Sequence, residues 1–151
     1  MFLKTRRTVV VLAFSLFAVM ALHSCNKPPQ LEGTKWDGSF EVTEEFYNPY
    51  EQKMDTINSN VTLTISFHKK DAYVTARIAT TNPFSKEPMT LFKSGTATDY
   101  TYEKGKVSLE IEWKDESMKA MDDGKWTGTV EKKTMTLENS SARKVIFTKK
   151  E

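Results

Sequence analysis

The chain has 151 residues and a single cysteine, and its 22 basic and 20 acidic side chains leave a net charge of +2. A nearly neutral chain of this length is expected to form one domain without the positive field that attracts nucleic acid. One cysteine also excludes an internal disulfide and a thiolate zinc site.

The first 24 residues differ in composition from the rest of the chain. Lys4, Arg6 and Arg7 precede an apolar stretch over residues 9–22, which Ser15 alone interrupts. Such a stretch suits the hydrophobic core of a signal peptide and is too short to span a bilayer comfortably. Removal of this segment takes away three positive charges, so the remaining chain carries a net charge of −1.

The segment ends at Leu22-His23-Ser24-Cys25, which resembles the lipobox of bacterial lipoproteins. The resemblance implies cleavage before Cys25, diacylglycerol on its thiol, and acylation of the new amino group by a fatty acid such as palmitate. Several acyl chains anchor a protein firmly, because each buried CH₂ contributes about 0.8 kcal/mol. We expect a signal peptide over residues 1–24, lipid attachment at Cys25 and a tether over residues 25–30. The alternative is an ordinary secretory peptide followed by a free thiol.

From residue 34 onward, hydrophobic side chains recur at every second position, as in a β-strand with one buried face. Residues 61–67 and 107–113 show this alternation most clearly. The same pattern predicts strands at 36–42, 74–78, 89–102, 126–130, 135–137 and 145–147, which makes eight in all. Residues 115–122 are predicted to hold one helical turn that pairs Met118 with Met121.

Short turns link the predicted strands, as at residues 68–71, 104–105 and 131–134. Consecutive hairpins favour an all-β meander, and eight strands with one apolar face each close readily into an antiparallel up-and-down barrel. Closure also removes exposed strand edges. We therefore predict one barrel domain over residues 31–151. A two-sheet β-sandwich is the alternative.

Two sequence features are similar to those of the lipocalin-like, calycin-type lipoproteins common in Bacteroidetes. One is Leu31-Glu32-Gly33-Thr34-Lys35-Trp36 soon after the lipobox, and the other is the ending Trp126-Thr127-Gly128 followed by Val145-Ile146-Phe147. The resemblance implies a membrane-anchored lipoprotein whose barrel binds a small apolar ligand. The Gly-x-Trp motif of true lipocalins appears here one residue too long. A protein-interaction or inhibitor lipoprotein with a packed, ligand-free core is therefore the second hypothesis.

The chain after the signal peptide offers little for catalysis. It keeps one histidine, His68, which is predicted to lie in an exposed turn without a cysteine or aspartate partner at a recognisable spacing. It contains no glycine-rich phosphate loop, His-Glu-x-x-His or paired-cysteine motif. We therefore expect no enzyme activity, catalytic residue, metal or cofactor, and no nucleic-acid partner.

Alternate loops of a meander share one end of the barrel. One such set, over residues 44–59, 81–88, 115–124 and 139–142, is predicted to be mostly long and rich in apolar side chains. Loops lie at the surface, so these side chains are candidates for binding a small apolar ligand or an envelope protein. The candidate binding residues are Phe46, Tyr47, Tyr50, Phe84, Met118 and Met121. The alternative is that they plug the barrel end.

The other set of turns is short and basic, and an even number of strands brings both chain termini to the same end. We predict that this end faces the membrane through Lys69, Lys70, Lys104, Lys106, Lys132 and Lys133. Residues 26–30 contain no acidic side chain. In lipoproteins of this phylum, acidic residues after the cysteine often direct export to the cell surface. We therefore expect a lipid-anchored protein of the cell envelope, in the outer membrane and facing the periplasm.

Overall fold

The computed structural model describes residues 30–121 and 124–151, except for the side chains of residues 120 and 121. The predicted signal peptide, Cys25 and the tether up to residue 29 therefore lie outside the described residues. Within the described part of the chain, no helix is both long and apolar enough to cross a bilayer.

The described residues form nine strands and one short helix. These are β1 (Lys35–Asn48), β2 (Lys53–Phe67), β3 (Asp71–Thr81), β4 (Pro88–Thr98), β5 (Thr101–Glu103), β6 (Lys106–Trp113), α1 (Glu116–Met121), β7 (Lys125–Glu131), β8 (Thr134–Asn139) and β9 (Lys144–Lys149). Antiparallel pairing runs from β4 through β3, β2, β1, β9, β8 and β7 to β6, and pairing of β4 with β6 closes the ring. The predicted eight-stranded up-and-down barrel is confirmed, and the sandwich alternative is wrong.

The ninth strand arises from a bulge in the predicted strand over residues 89–102. Ala97 opposes Ile111, whereas Thr101 opposes Ser108, so three residues on one side face two on the other. Asp99 takes the extra position with φ of 57° and donates its amide to the carbonyl of Lys70 at 3.0 Å. β4 and β5 thus form one barrel wall that a β-bulge interrupts.

The alternating side chains fill the barrel interior, as the period-two pattern predicts. In β6 every second residue is buried, and β2 alternates in the same way from Ser59 to its end. The largest fully buried side chains are Trp36, Trp126, Phe67, Phe147, Leu63, Ile65, Met118, Met135, Leu137, Val61, Val74 and Val145. An eight-stranded barrel is just wide enough for side chains of this size to fill it.

Glycines lie at both seams where the two halves of the barrel meet. Gly38 opposes Phe147 on the β1–β9 seam, and Gly95 opposes Trp113 on the β4–β6 seam. A Cβ atom on Gly38 would lie 2.8 Å from the Phe147 ring, and one on Gly95 would lie 3.0 Å from the Trp113 ring. Each glycine thus leaves room for a large aromatic ring, which lets the sheet curve closed.

Candidate functional site

The first four strands extend beyond the barrel wall. β1 pairs with β9 at residues 36–38 and β4 pairs with β6 at residues 95–97, yet β1 continues against β2 as far as Asn48 opposite Lys53. Ten residues of β1 therefore project roughly 30 Å past the β9 seam. The prediction of a loop over residues 44–59 is wrong, because the β1–β2 register continues unbroken to a turn at residues 49–52.

The two hairpin tips share the sequence Asn-Pro-aromatic. Asn48 precedes Pro49 and Tyr50, and Asn82 precedes Pro83 and Phe84. The Asn48 side-chain oxygen accepts the amide of Tyr50 at 3.0 Å, and the Asn82 oxygen accepts that of Phe84 at 2.9 Å. In each tip the asparagine side chain mimics a backbone turn while proline presets the next φ. The repeated motif therefore places one aromatic residue at the same position of both tips.

These aromatic residues meet in the folded chain. The ring centroid of Phe84 lies 5.9 Å from that of Tyr50 and 6.2 Å from that of Phe46, and both pairs are edge-to-face. Tyr50 is 84% exposed and Phe84 is 56% exposed. We call Phe46, Tyr50 and Phe84 the aromatic cluster. It joins hairpin tips that are distant in sequence and presents two of its rings to solvent.

An ion pair beneath the aromatic cluster holds the two tips together. The Lys86 ammonium lies 3.2 Å from the Asp55 carboxylate and 5.9 Å from the centre of the Phe46 ring. The side-chain amide of Asn48 donates to the same carboxylate at 3.2 Å. Hydrogen bonds from Asn48 and Lys86 hold the pKa of Asp55 below its ordinary value. The ion pair between Asp55 on β2 and Lys86 in the β3–β4 loop thus connects the two hairpins below the aromatic rings.

Tyr47 and Met118 do not belong to the aromatic cluster. Tyr47 lies on the opposite face of the hairpin, across from Met54, and both are largely exposed. Met118 is buried at 2% exposure and belongs to the barrel core, on α1 between β6 and β7. The predicted helical turn is present, but the side chain of Met121 lies outside the described set. Of the six candidates, the structure brings Phe46, Tyr50 and Phe84 together.

A second polar contact joins the projecting sheet to the helical turn. The Lys93 ammonium on β4 lies 2.5 Å from the Asp115 carboxylate, and the Ser117 amide donates to Asp115 at 2.9 Å. These hydrogen bonds, first from Lys93 and then from Ser117, lower the pKa of Asp115 from its ordinary 3.8 to about 2. The contact ties β4 to the residue that precedes α1.

This contact predicts an acid dependence of stability. A carboxyl whose pKa is depressed in the folded state stabilises the fold above its unfolded pKa, and that contribution is lost as the pH falls. At neutral pH we expect Asp115→Asn to melt about 2 °C below wild type, since the pair lies at the surface. The difference should close between about pH 4 and pH 2. Thermal melts of both forms across this range measure it, and a difference that persists at pH 2 would contradict the assignment.

The predicted basic turns lie together at the opposite end of the barrel. Backbone hydrogen bonds join Lys150 to Lys35, Lys149 to Lys133, Val130 to Gly105 and Phe67 to Thr34. The start of β1, the end of β9 and the three basic turns therefore share this end. We call the exposed side chains of Lys69, Lys70, Lys104, Lys106, Lys132 and Lys133 the lysine end. Two of these lysines lie near acidic side chains. The ammonium of Lys133 lies 2.8 Å from the Glu151 carboxylate, and that of Lys104 lies 3.7 Å from the Glu103 carboxylate.

The described residues include one histidine, His68, and no cysteine. No group of three or more histidine, cysteine, aspartate or glutamate side chains suited to a metal ion occurs in them. His68 is exposed in the β2–β3 turn and contacts the Tyr73 ring edge-to-face at 5.2 Å. No protein-family model matches the sequence, and no curated protein or solved structure gives a significant match.

Proposed function

We propose that this protein is a lipid-anchored envelope lipoprotein whose barrel docks another protein through the aromatic cluster. The observation that carries the proposal is the exposure of Tyr50 and Phe84 on two hairpin tips braced by an ion pair. Exposed aromatic side chains on a supported surface are typical anchors of protein interfaces. The two hairpins lie beyond a barrel that is already filled.

The packed interior supports a docking function over the carriage of a small ligand. Trp36, Trp126 and Phe147 are buried within the barrel at 0–1% exposure, and Met118 on α1 joins the same core at 2%. A lipocalin-type ligand occupies the space that such side chains take here. An apolar ligand inside the barrel therefore requires displacement of the core, whereas a partner on the hairpin tips requires none.

The position of the lysine end supports an orientation for the anchored domain. Leu31 is buried at this end, and Gly33 donates its amide to the carbonyl of Phe67, so the chain enters the barrel there. From Cys25 to Leu31 an extended tether reaches about 20 Å. With lipid on Cys25, the lysine end lies close to the membrane surface and the aromatic cluster points away from it.

The orientation predicts weak binding to charged lipid without the anchor. Residues 26–151 should associate with anionic vesicles at low salt and detach near about 0.15 M salt, since each lysine contributes up to about 1 kcal/mol within a Debye length. Changing Lys69, Lys70 and Lys132 to glutamate should abolish sedimentation with the vesicles. A matched control changes Lys114, Lys125 and Lys144 instead. Equal loss in both triple variants would contradict the orientation.

Cross-linking from the aromatic cluster tests the docking proposal. A photoreactive amino acid in place of Tyr50, in the full chain expressed in its own host, should give one dominant protein adduct. The same adduct should fail to form when Phe84→Ser is added, because the ring that supports position 50 is gone. Phe92→Ser, on an exposed β4 aromatic outside the cluster, is the control and should leave the adduct unchanged. Adducts that are insensitive to Phe84→Ser would overturn the proposal.

A further inference from the structure

The projecting part of β1 has an open edge. β2 pairs with β1 on one side as far as Asn48, whereas β9 pairs on the other side at residues 36–38. Beyond those positions, no described residue forms a ladder pair with β1 on its β9 side. An unpaired strand edge presents backbone donors and acceptors that can pair with another extended chain.

The register shows which backbone groups point outward. The carbonyl of Lys35 accepts the amide of Lys150, and the carbonyl of Thr34 accepts the amide of Phe67 on β2. Successive residues of a strand alternate between its two edges, and the β1–β2 register has no bulge. The backbone N–H and C=O groups at the open edge are therefore those of Glu41, Thr43, Glu45 and Tyr47.

The side chains along this edge are acidic and carry no paired cation. Glu41, Glu44 and Glu45 are exposed, and none of them forms a salt bridge with any residue that the structure describes. On the inner face, Phe40 and Val42 are partly buried against the core. Odd-numbered residues of β1 face outward, so Glu41 and Glu45 give the outer face its negative charge. On the inner face Glu44 lies between Val42 and Phe46, and the Arg143 guanidinium lies over the Phe40 ring at 4.6 Å.

Self-pairing is disfavoured at this edge. An antiparallel copy of β1 would bring glutamates close to glutamates across the pair, and like charges on neighbouring strands destabilise pairing. The other exposed edge, on β4, begins with Pro88, which has no N–H to donate. A second copy of this chain is therefore a poor partner for β1.

We propose that the open edge of β1 binds an extended segment of a partner protein in which basic and apolar residues alternate. The basic side chains lie beside Glu41 and Glu45 on the outer face, and the apolar ones lie on the inner face next to Val42 and Phe46, which flank Glu44. Main-chain hydrogen bonds supply affinity and the alternating side chains supply specificity, as in other cases of strand addition. The inference rests on the proposed docking function, because it names the chemistry of the partner.

A synthetic peptide tests the edge directly. The probe is a nine-residue peptide of alternating lysine and valine with blocked ends, added to the full chain in detergent micelles. Amide hydrogen exchange should slow at Glu41, Thr43, Glu45 and Tyr47, whose amides face the open edge. The amides of Val42 and Glu44, which face β2, should change little. Two control peptides should each bind at least about tenfold more weakly. One has glutamate in place of lysine and tests the charge. The other keeps lysine but is N-methylated at alternate residues, which removes main-chain donors.

Charge reversal supplies the matched variants. The double variant Glu41→Lys and Glu45→Lys should bind the lysine–valine peptide roughly tenfold more weakly at low salt. Glu110→Lys with Glu112→Lys makes the same change on the exposed face of β6 and should leave affinity within about twofold. Absence of binding, or binding without slowed exchange at the four edge amides, would overturn the edge proposal. The docking function is tested separately, by cross-linking from position 50 and by the dependence of that adduct on Phe84.

Discussion

Replacement of Trp36 by alanine should destabilise the barrel by about 3–5 kcal/mol. The indole is fully buried, and its Nε1 donates to the hydroxyl of Thr34 at 2.7 Å, which in turn donates to the carbonyl of Leu31 at 2.5 Å. The change leaves a cavity and an unsupported turn where the chain enters the barrel. Since domains of this kind are stable by about 5–15 kcal/mol, the variant loses a large share of its stability.

Urea unfolding followed by the fluorescence of Trp113 and Trp126 measures this effect. With a typical urea dependence, the midpoint should fall by about 2 M. Phe92→Ala is the matched control, because it also removes an aromatic ring but from a side chain that is 74% exposed. That control should stay within about 0.5 kcal/mol of wild type. A small shift for Trp36→Ala would contradict the burial of this indole in the barrel core.

The lipoprotein proposal predicts that replacement of Cys25 by serine abolishes lipidation and membrane retention. The thiol is the only one in the chain, and serine cannot form the thioether to which the proposed diacylglycerol would be attached. Metabolic labelling with an alkyne fatty acid should mark wild type and leave the variant unlabelled. Loss of several acyl chains removes an anchor worth about 0.8 kcal/mol for each buried CH₂.

A matched substitution separates lipidation from a general export defect. Ser24→Ala keeps a small residue before the cleavage point and should be labelled and fractionated like wild type. If the Cys25→Ser protein still accepted the fatty acid, or stayed in the outer-membrane fraction after a high-salt wash, the lipoprotein proposal would be wrong.

The barrel was predictable because alternation within each strand places its hydrophobic side chains on one face. A closed barrel buries that same face. Alternation from Val61 to Phe67 and from Val107 to Trp113 fixes which face is buried. Short turns between successive strands then leave a meander as the simplest order. The bulge at Asp99 escaped prediction because a single residue with positive φ leaves little trace in the pattern.

The candidate site was only partly predictable. Phe46, Tyr47 and Met54 suggested an apolar loop, because Glu44 and Glu45 interrupt the alternation that identifies a strand. The strand persists there because backbone pairing with β2 continues without a gap. The contact of Tyr50 with Phe84 joins residues far apart in sequence, which no local pattern encodes. The Asn-Pro-aromatic sequence at both tips was the available signal.

Native mass spectrometry of the lipidated protein, gently extracted from its own host, tests the central claim that a packed barrel docks a protein partner. We expect a stoichiometric complex with a second protein, which is lost when Tyr50→Ser and Phe84→Ser are combined and kept in Phe92→Ser. A barrel that instead carries a small apolar molecule, retained in the Tyr50 and Phe84 double variant, would contradict the claim.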